Sequence, residues 1–296
     1  MRRDNRLARL VLAGIAIAVC AGCGTPKGIG VQRPSPGATS HSVSRPSVPR
    51  PRHTVVVMFE NHPYDEIIGN SQAPYINTLA REGALFTSSY AVSHPSEPNY
   101  LALLSGSTQG VANDQCPTTL HAPNLAADLI AAGLTFVGYS EGLPAAGSQT
   151  CGVGGYARKH VPWTDFSNIP RSVNRPFSTF PTDYSMLPDV SFVIPDLCHD
   201  MHDCPVGTGD AWLRQHLGGY ARWAMTHDSL LIVTWDEDDG FHSNHIATIF
   251  VGQQVRPGRY GKPIDHYNVL RTIEQAYGLP HRGEAARHYP ITWVWK

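Results

Sequence analysis

The sequence predicts an α/β fold in which a mostly parallel central sheet lies between two layers of helices. Apolar runs rich in β-branched residues, typical of buried strands, alternate along the chain with segments of helical periodicity. Such alternation favours parallel strands joined by helices that cover both faces of the sheet. Acidic residues also directly follow the three strongest predicted strands, at the edge where open α/β sheets bind their ligands.

The composition is typical of one large domain. The chain has 296 residues, and 42% of them are hydrophobic, which suits a single core once the ends are set aside. The formal net charge is -1, so no overall basic field attracts nucleic acid. We therefore expect no nucleic-acid partner, and an anionic substrate must be attracted locally.

Residues 1 to 23 are predicted to be an export signal. Arginines among the first six residues precede an apolar run from Leu10 to Ala21 that is too short to span a bilayer. Cys23 follows small residues, as at bacterial lipoprotein cleavage sites, although Cys20 stands where such sites usually carry Leu. The mature protein is therefore expected outside the cytoplasm, lipidated on Cys23 and membrane-associated, with simple secretion as the alternative.

Residues 24 to 52 are predicted to be a disordered tether. This stretch is rich in Pro, Ser, Gly and Thr, so it cannot bury enough apolar surface to offset the entropy of ordering. The folded catalytic domain is accordingly expected over residues 53 to 296.

The first predicted strand, Thr54 to Phe59, ends directly before Glu60 and Asn61. The next informative stretch reads SHPSEPNYL from Ser93 onward. Its second proline suits the first turn of a helix, which places Ser96 in the cap region. A hydroxyl there faces unpaired backbone N–H groups and the positive end of the helix dipole, which is a favourable phosphate site. Taken alone, such a serine is most often only a structural cap.

Four cysteines inside the domain predict two disulfides in an exported protein. Cys198 and Cys204 can close a short loop, which leaves Cys116 to pair with Cys151. A zinc site is the alternative, because two histidines lie inside the short loop. Four ligands so close in sequence would crowd around one ion.

The remaining elements continue the alternation. The other predicted strands are Thr135 to Gly138, Val190 to Ile194, Leu230 to Trp235 and Ala247 to Val251; the predicted helices are Ile76 to Glu82, Tyr100 to Leu104, Asn124 to Ala132, Ala211 to Met225 and Asn268 to Tyr277; the predicted long loops are Leu143 to Arg158 and Ile169 to Asp189.

Two later strands also deliver carboxylates to the edge that holds Glu60. The strand ending at Trp235 runs into Asp236 and Glu237, and the strand ending at Ile194 runs into a loop rich in Asp and His. A lone acidic residue after a strand is usually a cap or turn residue. Several anions at one edge would repel each other unless a cation sat among them, and a hard divalent ion is the simplest remedy.

At these residues the sequence resembles the bacterial phosphoesterase family that contains acid phosphatases and phosphatidylcholine-type phospholipases C, a branch similar to the alkaline phosphatase superfamily. The matching motifs cover nearly the whole domain. They are Glu60 to Asp65, Ala73 to Asn77, His94 to Tyr100, Ser105 with Gly106, Pro195 to Asp203, Thr234 to Glu237 and Asn244 with His245.

The resemblance implies an alkaline phosphatase-like, three-layer α/β/α sandwich and a metal-assisted hydrolase of small phosphate esters. It implies that Ser96 is the nucleophile and becomes phosphorylated. The implied ligands of a divalent metal, whose identity stays open, are Glu60, Asn61, Asp236 and Glu237; the implied phosphate-binding residues are Asn61, Asn99 and His94; the candidates to bind the phosphoryl oxygens or protonate the leaving group are His199, His202 and His245.

Two other functions stay open beside an acid-phosphatase-type monoesterase. A phospholipase C would cleave phosphodiesters and need an apolar surface, which the tail from Ile291 to Trp295 would offer unless it is a terminal strand. The chain lacks the additional C-terminal domains of larger phospholipases of this family, which favours the monoesterase. A non-catalytic surface lipoprotein is disfavoured because the implied catalytic set is intact.

Overall fold

The computed structural model describes residues 48 to 296. The predicted leader, the lipidation site at Cys23 and most of the predicted tether lie outside the described residues. Residues 48 to 52 pack on the domain, in contrast to the predicted tether: Val48 is buried in the core, and the Arg52 N–H donates to the carbonyl of Asp228 over 2.6 Å. Within residues 48 to 296, no helix has both the length and the apolar character needed to cross a bilayer.

The strands and helices alternate in the predicted manner. The strands are β1 (Thr54–Phe59), β2 (Ala84–Tyr90), β3 (Phe136–Ser140), β4 (Gly152–Val153), β5 (Tyr156–Ala157), β6 (Asn174–Pro176), β7 (Val190–Ile194), β8 (Leu230–Trp235), β9 (His245–Gly252), β10 (Gly258–Tyr260) and β11 (Ile264–Asp265). The helices are α1 (Tyr64–Ile67), α2 (Pro74–Glu82), α3 (Ser96–Ser105), α4 (Leu125–Ala131), α5 (Val206–Ala224) and α6 (His266–Tyr277).

A nine-stranded sheet forms the centre of the fold, in the order β10-β2-β9-β8-β1-β7-β3-β6, with β11 also paired to β2. Strand β9 runs antiparallel to both of its neighbours, and the other pairs are parallel. Every residue of β1, β7 and β8 is buried, because helices cover both faces of a parallel sheet. The predicted sheet is confirmed.

Each face of the sheet carries its own hydrophobic core. Helices α3, α4 and α6 pack on one face, and α1, α2 and α5 on the other. The predicted three-layer sandwich is therefore confirmed. In the C-terminal tail, Ile291 and Val294 are fully buried and Trp295 pairs with Val255, so most of the tail belongs to the core.

Both predicted disulfides are present, Cys116 with Cys151 and Cys198 with Cys204. The zinc alternative fails because all four sulfur atoms are used in these bonds. The first bridge joins two long loops, and the second closes the loop that follows β7.

One glycine allows close packing between the sheet and a loop. A Cβ on Gly138 of β3 would lie 2.0 Å from the ring of Trp163, which is itself buried and hydrogen-bonded to Asn174 of the neighbouring strand. We expect Gly138→Ala to destabilise the protein by about 3 kcal/mol through overpacking, a shift of roughly 6 to 12 °C in the thermal midpoint. Gly207→Ala is the control, since a Cβ there meets its nearest atom at 3.4 Å. Equal midpoints for the two variants would contradict this account.

Candidate active site

Four predicted site residues come together at the edge of the sheet where the parallel strands end. Glu60 follows β1, Asp236 and Glu237 follow β8, and Ser96 begins α3. The Ser96 Oγ lies 2.9 Å from Glu60 Oε2 and 2.9 Å from Glu237 Oε1. All four side chains are buried, so a single hydroxyl faces two carboxylates in a region largely shielded from water.

Asn61 sits at a tight turn beside this group. Its backbone N–H donates to Asp236 Oδ1 over 3.1 Å, and its φ of 53° lies in the left-handed region. Asparagine tolerates that conformation better than most residues. Strained backbone of this kind is concentrated at functional sites.

Asn99 holds the turn that leads into Ser96. Its Oδ1 accepts the backbone N–H groups of Val92 and Ser93, both over 3.0 Å, and its amide nitrogen donates to the carbonyls of Ser93 and Pro95. Both ends of the amide are thus engaged by the backbone. The structure gives Asn99 a positioning role in place of the predicted contact with phosphate.

His94 lies between two carboxylates. Its Nδ1 bonds Glu237 Oε2, and its Nε2 lies 3.2 Å from Asp238 Oδ1. The ring therefore orients Glu237, which in turn contacts Ser96. Asp238 also accepts the backbone N–H groups of Gly240, His242 and Asn244, so it organises the acidic turn.

The electrostatics of the site favour a bound cation. Burial and the neighbouring Asp200 raise the pKa of Glu60 well above its ordinary value, and burial with Glu60 and Glu237 does the same to the pKa of Asp236. The Oδ2 atom of Asp236 is buried without a hydrogen-bond partner. Clustered carboxylate oxygens with an unsatisfied member are suited to a hard divalent ion. The residues present therefore fit the predicted metal.

Three further residues enlarge the site beyond the prediction. Tyr100 of α3 donates its hydroxyl to Glu60 Oε1. His160 Nε2 lies 3.1 Å from the same oxygen, and its Nδ1 lies 3.3 Å from Asp200 Oδ2. Glu60, His160 and Asp200 offer ligand atoms within 4.8 Å of one another, all buried. Burial lowers the pKa of His160 well below its usual value, so this imidazole is neutral near pH 7.

A lysine brings positive charge to this acidic site. Lys159 Nζ lies 3.0 Å from Asp114 Oδ2, and the other oxygen of Asp114 accepts the backbone N–H of Glu97. Burial lowers the pKa of Lys159, but Asp114, Glu60 and Asp236 offset this effect and leave that pKa raised. Lys159 is therefore charged and lies within the field of the site carboxylates.

The three predicted histidines have different surroundings. His202 lies at the site, with its ring centroid 5.9 Å from that of His160. The Nδ1 of His199 is 2.9 Å from Glu141 Oε2, in a separate cluster with Asp196. The Nε2 of His245 on β9 bonds the Thr87 carbonyl over 3.1 Å, and its ring packs against Tyr64 of α1 and Tyr90 of β2. His199 and His245 thus contact neither Ser96 nor the carboxylates around it, because other groups hold their rings.

Only some of these further site residues could have been predicted from the sequence. Asp200 and Tyr100 lie inside motifs that matched the family, yet neither was assigned a role. His160, Lys159 and Asp114 lie in loops cross-linked by the Cys116–Cys151 disulfide. Loops of this kind show no periodicity from which a position in space can be predicted.

Comparisons with known proteins show the family to which the chain belongs. The model of the Phosphoesterase family matches residues 70–280. The chain is 53% identical over 252 residues to the phosphatidylinositol-3-phosphatase of Mycobacterium tuberculosis, with 84% of each chain covered. It is 31% identical over 230 residues to the phosphate-repressible acid phosphatase of Penicillium chrysogenum, covering 70% of this chain and 55% of that one. The chain thus spans about half the length of this fungal relative.

The solved structures that resemble this one bear on the fold alone. A protein of the alkaline phosphatase superfamily from Vibrio parahaemolyticus superposes with a TM-score of 0.55 at 15% identity, covering 79% of this chain and 68% of that one. The lipoteichoic acid synthase LtaP from Listeria monocytogenes gives 0.55 at 11% identity, covering 77% and 72%.

Proposed function

Since this chain belongs to the phosphoesterase family and is a hydrolase of phosphate esters, we propose that it cleaves phosphomonoesters by the acid-phosphatase route, with Ser96 as the nucleophile. The observation that carries the proposal is the Ser96 hydroxyl, 2.9 Å from each of two buried carboxylates. A serine hydroxyl is a weak nucleophile until a neighbouring group removes its proton or lowers its pKa.

Glu60, Asn61, Asp236 and Glu237 would hold a divalent cation beside Ser96. When bound, such a cation lowers the pKa of the serine hydroxyl and neutralises charge on the transferred phosphoryl group. Its identity and number stay open. The residues around it include His160 and Tyr100, which contact Glu60 and so fix the carboxylate in place.

The reaction would proceed in two displacements at phosphorus. The Ser96 Oγ forms a bond to phosphorus as the bond to the leaving alcohol breaks, and the hydroxyl proton passes to one of the adjacent carboxylates. His202, exposed beside His160, is the candidate to protonate the leaving alkoxide. A water then attacks the phosphoserine, phosphate leaves, and Ser96 regains its proton.

Lys159 would favour substrates whose phosphate keeps its full charge. We expect Lys159→Met to lower kcat/KM for a phosphomonoester about tenfold to a hundredfold, as for loss of one charge-assisted hydrogen bond, and to weaken competitive inhibition by inorganic phosphate. Lys159→Arg keeps the charge, so it should retain most of kcat/KM and most of the inhibition by inorganic phosphate. If phosphate inhibited Lys159→Met as strongly as the unchanged enzyme, Lys159 would have no contact with the phosphoryl group.

The proposal is tested by assaying p-nitrophenyl phosphate and p-nitrophenyl phosphocholine side by side, with and without chelator. Chelator-sensitive release from the monoester alone is the expected result. Release from the phosphocholine diester would replace it with a phospholipase C activity. A folded protein that turned over neither compound with any added divalent ion would overturn the catalytic proposal.

Export, and a lipid anchor on Cys23, are part of the proposal and rest on the sequence of residues 1 to 23. The two disulfides support it, since such bonds persist in oxidising compartments. Metabolic labelling with a fatty acid, compared between the unchanged chain and Cys23→Ser, distinguishes a lipidated from a secreted protein.

A further inference from the structure

One face beside the candidate active site carries aromatic rings interleaved with cations. We call it the aromatic–basic strip. It comprises Tyr64, Tyr90, Tyr289 and Trp293 with Arg256, Arg259 and Lys262. The Lys262 Nζ lies 3.6 Å from the ring centre of Tyr289 and 4.2 Å from that of Trp293.

The strip is continuous. Tyr90 and Tyr289 line one cavity of about 500 Å³. Tyr90 also packs against His245 at 5.2 Å between ring centres, and Tyr64 stacks on the other side of His245 at 4.6 Å. Arg259 then donates to the Tyr64 hydroxyl over 3.1 Å. The ring of His245 thus contacts both tyrosines of the strip.

An exposed phenylalanine lies in the loop that leads directly into His245. Phe241 is 87% exposed, at the tip of the acidic turn that begins at Glu237. Asp238 accepts three backbone N–H groups of that turn, over 2.6 to 2.8 Å, so the turn holds the ring out in solvent. Six large apolar side chains are exposed among residues 48 to 296. Two of them, Tyr90 and Tyr289, belong to the strip, and a third, Phe241, stands four residues before His245, which packs against Tyr64 and Tyr90.

Positive charge is concentrated at the end of the strip that holds Lys262, whereas Asp65 and Glu66 are exposed beside Tyr64 and Glu66 pairs with His62. Arg256, Arg259 and Lys262 are all exposed. The nearby carboxylate of Asp265 pairs with His288 at 3.1 Å, and Asp239 beside Phe241 pairs with His242 at 2.7 Å. The strip therefore concentrates three cations on one face of a chain whose formal net charge is -1.

The strip adjoins the catalytic turn. Its cavity is also lined by Val92, whose N–H is bound by Asn99 in the turn that positions Ser96. A surface that docks on the strip would therefore lie next to the turn that positions Ser96.

We propose that the aromatic–basic strip binds the surface of an anionic lipid bilayer, with Phe241 entering the interface, so that Ser96 acts on phosphomonoesters carried by lipid headgroups. Tyrosine and tryptophan place their apolar rings and polar edges at such interfaces, and lysine and arginine are attracted to anionic lipids. The substrate part of the inference rests on the proposed function. It agrees with the name of the Mycobacterium tuberculosis relative, phosphatidylinositol-3-phosphatase.

The test measures binding and chemistry separately on the full chain, with Cys23→Ser in every variant so that no acyl chain anchors it. Sedimentation with phosphatidylcholine vesicles, with and without phosphatidylserine, gives the binding. Hydrolysis of phosphatidylinositol 3-phosphate in those vesicles is compared with hydrolysis of soluble p-nitrophenyl phosphate. Hydrogen exchange locates the surface that the vesicles protect.

The double variant Arg259→Gln with Lys262→Gln should bind anionic vesicles about twenty-five-fold more weakly, at about fivefold per cation. Phe241→Ser should lower vesicle hydrolysis about tenfold, as for loss of one buried aromatic ring. Both should leave hydrolysis of the soluble ester unchanged. The matched control is Arg81→Gln with Arg214→Gln, exposed cations on α2 and α5 in the other helical layer, which should bind vesicles normally. Protection from exchange should appear in residues 256 to 262 and 238 to 244.

Two results would show that the strip is not the membrane-binding surface: normal vesicle binding by the double variant, or protection from exchange confined to other residues. Vesicle binding through the strip without hydrolysis of either ester would instead support the surface and overturn the proposed function. The two proposals therefore fail in distinguishable ways.

Discussion

Ser96→Ala is expected to lower kcat for p-nitrophenyl phosphate by about ten-thousand-fold or more, since no other group in the site can form the phosphorylated intermediate. The Ser96 Oγ is the only hydroxyl within hydrogen-bond reach of both Glu60 and Glu237 among the described residues. Binding of inorganic phosphate should largely survive, because the ligands of the cation remain. The measurement is a steady-state assay with a thermal unfolding curve for each variant.

The control for Ser96→Ala is Ser93→Ala. The Ser93 hydroxyl lies on the same turn and bonds only the His94 carbonyl, over 3.1 Å, so this variant should keep most of the activity. Acid quenching during turnover, followed by mass spectrometry, should find phosphate on the peptide that contains Ser96. Substantial turnover by Ser96→Ala would mean that water attacks the ester directly.

Asp236→Asn is expected to change activity and stability in opposite directions. Activity should fall by about a thousand-fold, as for loss of several kcal/mol of charge stabilisation in the transition state. In the presence of chelator the variant should be more stable than the unchanged protein. Burial with Glu60 and Glu237 makes ionised Asp236 unfavourable, and a neutral amide relieves that repulsion. The Asn oxygen can still accept the N–H of Asn61.

The direction in which the stability of the chelated protein changes with pH follows from the raised pKa of Asp236. A carboxyl whose pKa is raised on folding binds its proton more tightly in the folded state than in the unfolded state. The chelated protein should therefore lose stability as pH rises above the ordinary pKa of Asp, and Asp236→Asn should reduce that loss. Added divalent ion should raise the thermal midpoint of the unchanged protein by mass action and that of Asp236→Asn much less.

Asp239→Asn serves as the comparison for Asp236→Asn. Asp239 lies in the same acidic turn but is exposed and paired with His242. Added divalent ion should raise the thermal midpoint of Asp239→Asn as much as that of the unchanged protein. An equal ion-induced rise in midpoint for Asp236→Asn would remove Asp236 from the ligands of the cation.

The strands that the sequence predicts best are those buried on both faces. Strands β1, β7 and β8 match their predicted bounds because each is dominated by apolar residues and is followed within two residues by an acidic one. Strand β2 escaped prediction because its second half is polar. There Ser89 is buried by bonding its hydroxyl to Thr248 over 2.8 Å, so a side-chain hydrogen bond takes the place of apolar character.

The candidate site also contains residues that the sequence predicts and residues that it does not. Glu60, Asp236 and Glu237 were predictable together because parallel strands end at one edge of the sheet. His160 was not, since only the folding of a long loop brings its ring against Glu60. Asn99 lies near Ser96, but the sequence does not reveal that both ends of its side-chain amide form hydrogen bonds with the backbone.

The Cys116–Cys151 disulfide joins the two loop segments that carry Asp114 and Lys159. Asp114 stands just before one end of the bridge, and the Arg158 N–H bonds the carbonyl of Cys151 just before Lys159 and His160. Where thiols stay reduced, as in the cytoplasm, only the main chain joins the segment of Asp114 to that of Lys159. If the chain is exported as proposed, it gains this cross-link only after leaving the cytoplasm, so we expect the segments that carry Asp114, Lys159 and His160 to be held less firmly before export.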